Sequence, residues 1–138
     1  MTLNKDNRDS IVSYRLQRAK ETLTELKANI EMKFWRIAAN RLYYACYYAA
    51  TALLVQNNLT TRTHSGVISQ LSLHFIKKGL LNVEYGKLYK KLFELRQTGD
   101  YDDLVIIKED EVLGLLAPAE KFIAEIENLI KNKELKNI

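Results

Sequence analysis

Apolar residues recur every three or four positions along most of the chain, which is the spacing of one face of an α-helix. The first such stripe predicts a helix over about residues 8–28. The next stretch, over about residues 33–56, is apolar on nearly every side and predicts a helix that is buried among others. The first stripe consists of Val12, Leu16, Ala19, Leu23, Leu26 and Ile30.

A polar connector at residues 57–62 separates these helices from a third. The third helix is predicted to begin near Thr63, whose hydroxyl can cap it, and to extend to about residue 78. A fourth stripe predicts a helix over about residues 83–97. The dipeptide at 98–99 is expected to end that helix, because it contains a glycine and glycine commonly follows a last helical turn.

The fifth helix is predicted to begin with three acids at residues 109–111, which favour the positive end of a helix dipole. Pro118 lies inside this helix and is expected to kink it or to split off its first turns. The tail at residues 132–138 is expected to fray. With only one proline and five glycines in the chain, these patterns predict a single all-α domain over residues 1–138.

Composition narrows the class of protein and its surroundings. Nearly half of the residues are hydrophobic and more than a quarter are charged, which is typical of a globular chain and not of a disordered one. The N-terminus lacks the apolar core of a signal peptide, and no apolar run is long enough to span a membrane. The single Cys46 cannot form an internal disulfide. We therefore expect a cytoplasmic protein that does not enter a membrane.

The net charge of +4 is unevenly distributed along the chain. Residues 77–96 contain six bases and two acids, whereas residues 100–111 contain six acids and one base. A basic segment can bind phosphates. Two solvated helix faces of opposite sign are the simpler interpretation, and we favour it.

The most informative stretch is the tyrosine-rich run NRLYYACYYAA at residues 40–50. On a helix, tyrosines four residues apart, such as Tyr43 and Tyr47, share one stripe. The alanines and the cysteine between the tyrosines allow neighbouring helices to approach closely. Because buried tyrosine hydroxyls need hydrogen-bond partners, the run is either a core that contains polar groups or the wall of a binding site.

A second cluster is the run RQTGDYDD at residues 96–103. Arg96 and Asp100 lie four residues apart, which is the spacing of a helical ion pair. In one interpretation this pair holds the end of the fourth helix, and Tyr101 packs back on the bundle. In the other, Arg96 lies at the mouth of a cleft and binds a phosphate. The residue types alone slightly favour the first interpretation.

Other kinds of chemistry have little support in the sequence. One cysteine and two histidines, His64 and His74, give no zinc-ligand spacing, so neither a metal nor a cofactor is expected. Cys46 lies among alanines, which is more typical of inert packing than of a nucleophile. His64 is near a helix start and is expected to cap the helix or form a hydrogen bond, not to bind a ligand.

Four segments of the chain, taken in order, resemble the HEPN domain family (higher eukaryotes and prokaryotes nucleotide-binding), in particular its small stand-alone prokaryotic members. The resemblance covers about residues 8–131 and rests on the order and spacing of the segments together. It implies an antiparallel bundle of four main helices plus a shorter fifth, usually present as a homodimer. The segments are residues 40–49, 52–54, 63–67 and 96–102.

The resemblance also implies RNA cleavage or nucleotide binding, and a toxin–antitoxin pair in which a minimal nucleotidyltransferase is the antitoxin. Ribonuclease members use an arginine that is followed, after four to six residues, by a histidine. These residues are brought together across the dimer cleft. Arg96 matches the arginine, but Tyr101, Asp102 and Asp103 occupy the positions where the histidine is required. Tyrosine, with a pKa of about 10, is a poor base at neutral pH, so we favour a protein without enzymatic activity.

Three interpretations of function follow, in order of preference. The first is a HEPN-like dimer that binds a nucleotide, RNA or a protein partner through stacking tyrosines and phosphate-binding arginine. The second is a metal-independent ribonuclease toxin with an altered motif, in which Arg96 acts with Asp100, Tyr101 or His64. The third is a purely structural helical dimer. The candidate binding residues are Asn40, Arg41, Tyr44, Arg96, Asp100 and Tyr101, and the last three of these are also the catalytic candidates.

Overall fold

The computed structural model describes residues 4–136, and helices account for most of them. A short π-helical segment, Ser72–Ile76, follows the third α-helix directly. No strand occurs among the described residues, so the predicted all-α class is confirmed. The α-helices are α1 (Lys5–Glu31), α2 (Trp35–Gln56), α3 (His64–Leu71), α4 (Val83–Tyr101) and α5 (Glu109–Lys136).

Helix α2 lies at the centre of the bundle and packs against α1, α4 and α5. A tight turn at residues 32–34 makes α1 and α2 antiparallel. The Asn40 side chain near the start of α2 donates to Asp100 near the end of α4, so these two helices are also antiparallel. Gln56 donates to the Ile130 carbonyl, which places the C-terminal ends of α2 and α5 together. The predicted antiparallel bundle with one short helix is confirmed.

The core follows from the composition of α2. All six residues from 49 to 54 are buried, and small side chains at Ala45 and Ala49 let the neighbouring helices approach closely. Buried apolar residues of α1, α4 and α5 pack against this helix in one continuous cluster. The predicted burial of the second helix is therefore confirmed.

The prediction that residues 98–99 end the fourth helix is wrong, because α4 continues to Tyr101. Gly99 is buried inside the helix, and a Cβ added there would lie 3.5 Å from Ile107 and 4.0 Å from the Arg36 carbonyl. Gly99 thus lies inside the packed helix instead of terminating it, and both distances are ordinary van der Waals contacts that would accommodate a Cβ.

The last helix is continuous through its proline, so one of the two alternatives predicted for Pro118 is wrong. Helix α5 runs without a break from Glu109 to Lys136, so Pro118 does not split off its first turns. The proline removes the hydrogen bond that the Gly114 carbonyl would otherwise accept, but Gly114 is exposed and solvent can satisfy that carbonyl. Helix α5 includes residues 132–136, while 137–138 lie outside the described residues.

Candidate functional site

Arg96 lies in the second half of α4 and is only 5% exposed. Its Nη1 donates to the Tyr44 hydroxyl at 3.4 Å and lies 3.6 Å from Oδ2 of Asp100. Its Cζ is 5.1 Å from the ring centre of Tyr43 and 5.8 Å from that of Phe93. The guanidinium is therefore held by an ion pair and by aromatic faces, which attract cations more strongly when water is excluded.

Asp100 extends the contacts of Arg96 to two further helices. Asn40 Nδ2 on α2 donates to Asp100 at 3.1 Å, and Asn40 Oδ1 accepts from Arg41 Nη2 at 2.7 Å. Arg41 in turn pairs with Glu25 of α1 at 3.1 Å. Together these groups form a continuous set of polar contacts that joins α1, α2 and α4. We call it the arginine network, and its members are Glu25, Asn40, Arg41, Tyr44, Arg96 and Asp100.

Beneath the arginine network, the Tyr43 hydroxyl is shared between two partners. It forms hydrogen bonds with His64 Nδ1 at 2.7 Å and with the Tyr89 hydroxyl at 3.1 Å. Tyr43 is completely buried, and this burial raises the pKa of its hydroxyl to about 12. Tyr43 therefore stays protonated at neutral pH and acts as a fixed hydrogen-bonding group between α2, α3 and α4.

His64 is the first residue of α3, and Thr63 fixes its position by accepting a hydrogen bond from the Gly66 backbone at 3.0 Å. The half-buried His64 ring packs 4.9 Å from the ring of Tyr47, measured between centroids. Burial, and then the positive charge of Arg96, lower the pKa of His64. The predicted hydrogen bond of His64 is confirmed, and its lowered pKa favours the neutral imidazole.

The last residue of α4 and the segment that follows it present apolar side chains to solvent. Tyr101 is 75% exposed, so the prediction that it packs back on the bundle is wrong. Leu104 and Ile106 are 94% and 80% exposed. We call Tyr101, Leu104 and Ile106 the loop surface.

The loop surface is carried by an anchored backbone. The Arg36 guanidinium donates to the backbone carbonyls of Gly99, Asp102 and Val105. Ile107 is almost completely buried and fixes the far end of the loop to the core. The apolar side chains are therefore held outward by a backbone that is tied down at several points.

Comparison with known proteins agrees with this architecture. The sequence profile of the HEPN domain family matches residues 12–129. The chain belongs to the HEPN domain family. This HEPN protein is 38% identical over 127 residues to a UPF0332 protein of Thermotoga maritima, across 92% of this chain and 96% of that protein.

Two further relatives of this HEPN protein come from Methanocaldococcus jannaschii, and both are named as candidate toxins. One is 35% identical over 129 residues, which are 94% of this chain and 95% of the relative. The other is 28% identical over 120 residues, which are 87% of this chain and 82% of the relative.

Most of the sequence-predicted site residues of this HEPN protein come together. Asn40, Arg41, Tyr44, Arg96 and Asp100 share the arginine network, and the predicted ion pair between Arg96 and Asp100 is confirmed. Arg96 is buried, and so does not lie at the mouth of a cleft. Tyr101, the sixth predicted residue, is exposed beside the network, with its ring centre 5.9 Å from the Cζ of Arg96.

The sequence analysis did not identify Tyr43, Arg36, or Leu104 and Ile106 of the loop surface as site residues. Tyr43 was recognised only as one of several tyrosines, and nothing in the sequence singles out Arg36. The loop surface did leave a signal, since the apolar run at residues 104–107 lies between two groups of acids. A short apolar run in an acidic segment is unexpected in a fully solvated loop.

The described part of the chain gives little support for a metal site, a membrane-spanning helix or a reactive thiol. No group of three or more metal-binding side chains comes together within residues 4–136. Nor is any described helix long and apolar enough to cross a membrane. Cys46 is fully buried, and burial raises the pKa of its thiol, so it packs as a small apolar group.

Proposed function

We propose that this HEPN protein is the toxin-type member of a toxin–antitoxin pair and that it binds protein partners through the loop surface. The partners are a second copy of the chain and a minimal nucleotidyltransferase antitoxin. The names of two relatives as candidate toxins support the pairing. The observation that carries the binding role is the exposure of Leu104 and Ile106 on an anchored loop.

Exposed apolar side chains on a fixed backbone are typical of protein interfaces. Contiguous apolar patches on soluble proteins commonly mark interaction sites. An aromatic ring with two aliphatic side chains is the kind of anchor that contributes most to binding. Because Arg36 and Ile107 already hold the loop, little ordering entropy is lost when a partner binds.

The acidic neighbours of the loop surface define the partner further. Residues 100–111 carry five more negative than positive charges, and all of these acids are exposed. A nucleotidyltransferase with a basic rim would associate faster and would be discriminated from acidic proteins. The second copy of the chain brings the same acids, so in the homodimer the apolar contacts must outweigh that repulsion. The arginine network has a positioning role in this account, since the Arg96–Asp100 pair fixes the end of α4 that carries Tyr101.

Backbone hydrogen exchange at residues 101–107 tests this function. At about 100 μM protein, association through the loop surface should slow exchange in this segment relative to about 1 μM. The connector at residues 57–62 is the internal control, because it lies outside the proposed interface. Exchange at 101–107 that changes neither with concentration nor with added nucleotidyltransferase would contradict the proposal.

RNA cleavage is a second candidate, favoured by the position of His64. The His64 Nδ1 contacts Tyr43, whose ring also lies under Arg96. The other ring nitrogen, Nε2, would accept the proton of a ribose 2′-hydroxyl while the 2′-oxygen attacks phosphorus and the 5′-oxygen leaves. Arg96 would stabilise the charge that develops on the phosphate. Since Arg96 is buried, it must first be uncovered, and the binding function therefore ranks first.

The ribonuclease candidate has a matched pair of variants. In metal-free buffer, His64→Gln should abolish cleavage, while His74→Gln should retain it because His74 lies on the separate π-helical segment. Cleavage by the His64→Gln variant at the wild-type rate would reject this candidate and leave the binding function unaffected.

A further inference from the structure

A polar cavity lies at the end of the bundle where α1 begins and α2 and α5 end. Its volume is about 320 Å³, within the range of small-molecule sites. It adjoins Gln56, which lies 12 residues beyond Tyr44 on α2, so it is roughly 18 Å from the arginine network at 1.5 Å per residue. We call it the terminal pocket, and its lining residues are Lys5, Arg8, Asp9, Gln56, Asn58, Lys133 and Glu134.

Two cations in the terminal pocket are held by neutral groups. Arg8 Nη1 donates to Asn58 Oδ1 at 3.1 Å, and Lys133 Nζ donates to Asn57 Oδ1 at 2.6 Å. Burial, and then the positive charge of Arg8, lower the pKa of Lys133. The two cations therefore repel each other, and an anion between them would relieve that repulsion.

Gln56 provides an independent observation at the same place. Its side-chain amide donates through Nε2 to the Ile130 carbonyl at 2.8 Å, which fixes the orientation of the amide because a carbonyl needs a donor. Gln56 is 92% buried, being 8% exposed, and its Oε1 has no hydrogen-bond partner within the described part of the chain. A buried acceptor without a partner is destabilising, so a ligand that donates a hydrogen bond to this oxygen would be favoured.

The two observations together specify a ligand. A water molecule would supply a donor to Gln56 but would add no negative charge to a pocket in which three cations outnumber two carboxylates. Arginine and lysine are the side chains that bind phosphate oxygens best. The carboxylates of Asp9 and Glu134 also line the pocket and can accept hydrogen bonds from hydroxyl groups. We propose that the terminal pocket binds a small molecule that carries both a phosphate group and hydroxyl groups, such as a sugar phosphate.

Calorimetric titration with ribose 5-phosphate tests the site, with inorganic phosphate and ribose as the two partial ligands. Ribose 5-phosphate should bind with a Kd below about 1 mM, and at least about tenfold more tightly than either partial ligand. Lys133→Met should weaken this binding by about tenfold, since it removes one charge-assisted hydrogen bond. Lys131→Met is the matched control, because Lys131 is exposed and pairs with Glu127 outside the pocket.

Arg8→Gln provides a second variant in case Lys133→Met does not fold, and circular dichroism checks both. Any one of three results would overturn the proposal. They are the absence of ribose 5-phosphate binding, equal affinity for inorganic phosphate, and equal weakening in the Lys131→Met control. The terminal pocket is separate from the loop surface and from the proposed site of RNA cleavage. The tests of those two functions therefore neither support nor contradict the terminal pocket.

Discussion

Among single residues, Tyr43 connects two polar groups, the Tyr89 hydroxyl and the His64 ring. We expect Tyr43→Phe to lower the free energy of unfolding by about 1–3 kcal/mol, because it leaves the buried Tyr89 hydroxyl and His64 Nδ1 without their shared partner. Urea denaturation measures this change. Tyr14→Phe is the control, since Tyr14 is 65% exposed and should lose almost nothing. Equal stability of the Tyr43→Phe variant and wild type would show that the shared hydroxyl contributes nothing.

His64 gives the fold a dependence on pH. Because burial and Arg96 lower the pKa of His64 in the folded state, the unfolded chain binds a proton more readily. Stability should therefore be complete above the pKa of the unfolded histidine and should fall as the pH decreases from about 7.5 to about 5.5. Urea denaturation at both pH values should show a smaller fall for His64→Gln than for wild type. Identical falls would mean that another group is responsible.

For individual residues, the sequence predicts contacts between positions that are close along the chain and does not predict contacts between distant positions. The Arg96–Asp100 pair was predictable because four residues on a helix fix the distance. The contact between Tyr43 and His64 spans 21 residues, and that between Arg36 and Gly99 spans 63. Such contacts depend on how helices pack, which side-chain spacing within one helix does not determine.

Among the helices, α5 contains a glycine that has no packing role. Gly114 is exposed, and a Cβ added to it would have no neighbouring heavy atom within 4 Å. We expect Gly114→Ala to raise the free energy of unfolding by about 0.5–1 kcal/mol, because alanine loses less backbone entropy in a helix. Thermal denaturation measures the change, and a lower midpoint would contradict this description of α5.

The matched substitution in α3 should have the opposite sign. A Cβ at Gly66 would collide with the Thr61 hydroxyl and lie 3.0 Å from the capping hydroxyl of Thr63. Gly66→Ala should therefore lower the free energy of unfolding by about 1–3 kcal/mol, the usual cost of overpacking. A stabilised variant would mean that the connector before α3 can move aside.

The helices themselves were predictable because their apolar periodicity is regular, whereas several of their ends were not. Helix α4 continues beyond Gly99 to Tyr101, because Gly99 packs against Ile107. Helix α5 tolerates Pro118 where the carbonyl left without a partner faces solvent. In both cases the surroundings of the helix, and not the intrinsic preference of one residue, decide where it ends.

On the scale of the whole molecule, both charged segments lie largely at the surface. The lysines of the basic segment 77–96 are all exposed, as the interpretation of a solvated face predicts, and the one arginine of the segment is buried. The acidic segment surrounds the loop surface. This arrangement could not be predicted from charge counts, because the counts do not show which side chains the fold turns outward.

Light scattering of the purified protein tests the proposed interface most directly. The account predicts that wild type has twice the chain mass of 16.0 kDa, and that the double variant Leu104→Asp/Ile106→Asp has the mass of one chain. The control Leu80→Asp, at a leucine that is 54% exposed elsewhere, should keep the wild-type mass. A double variant that keeps the wild-type mass, or a wild type that is monomeric and does not bind the nucleotidyltransferase, would contradict the account.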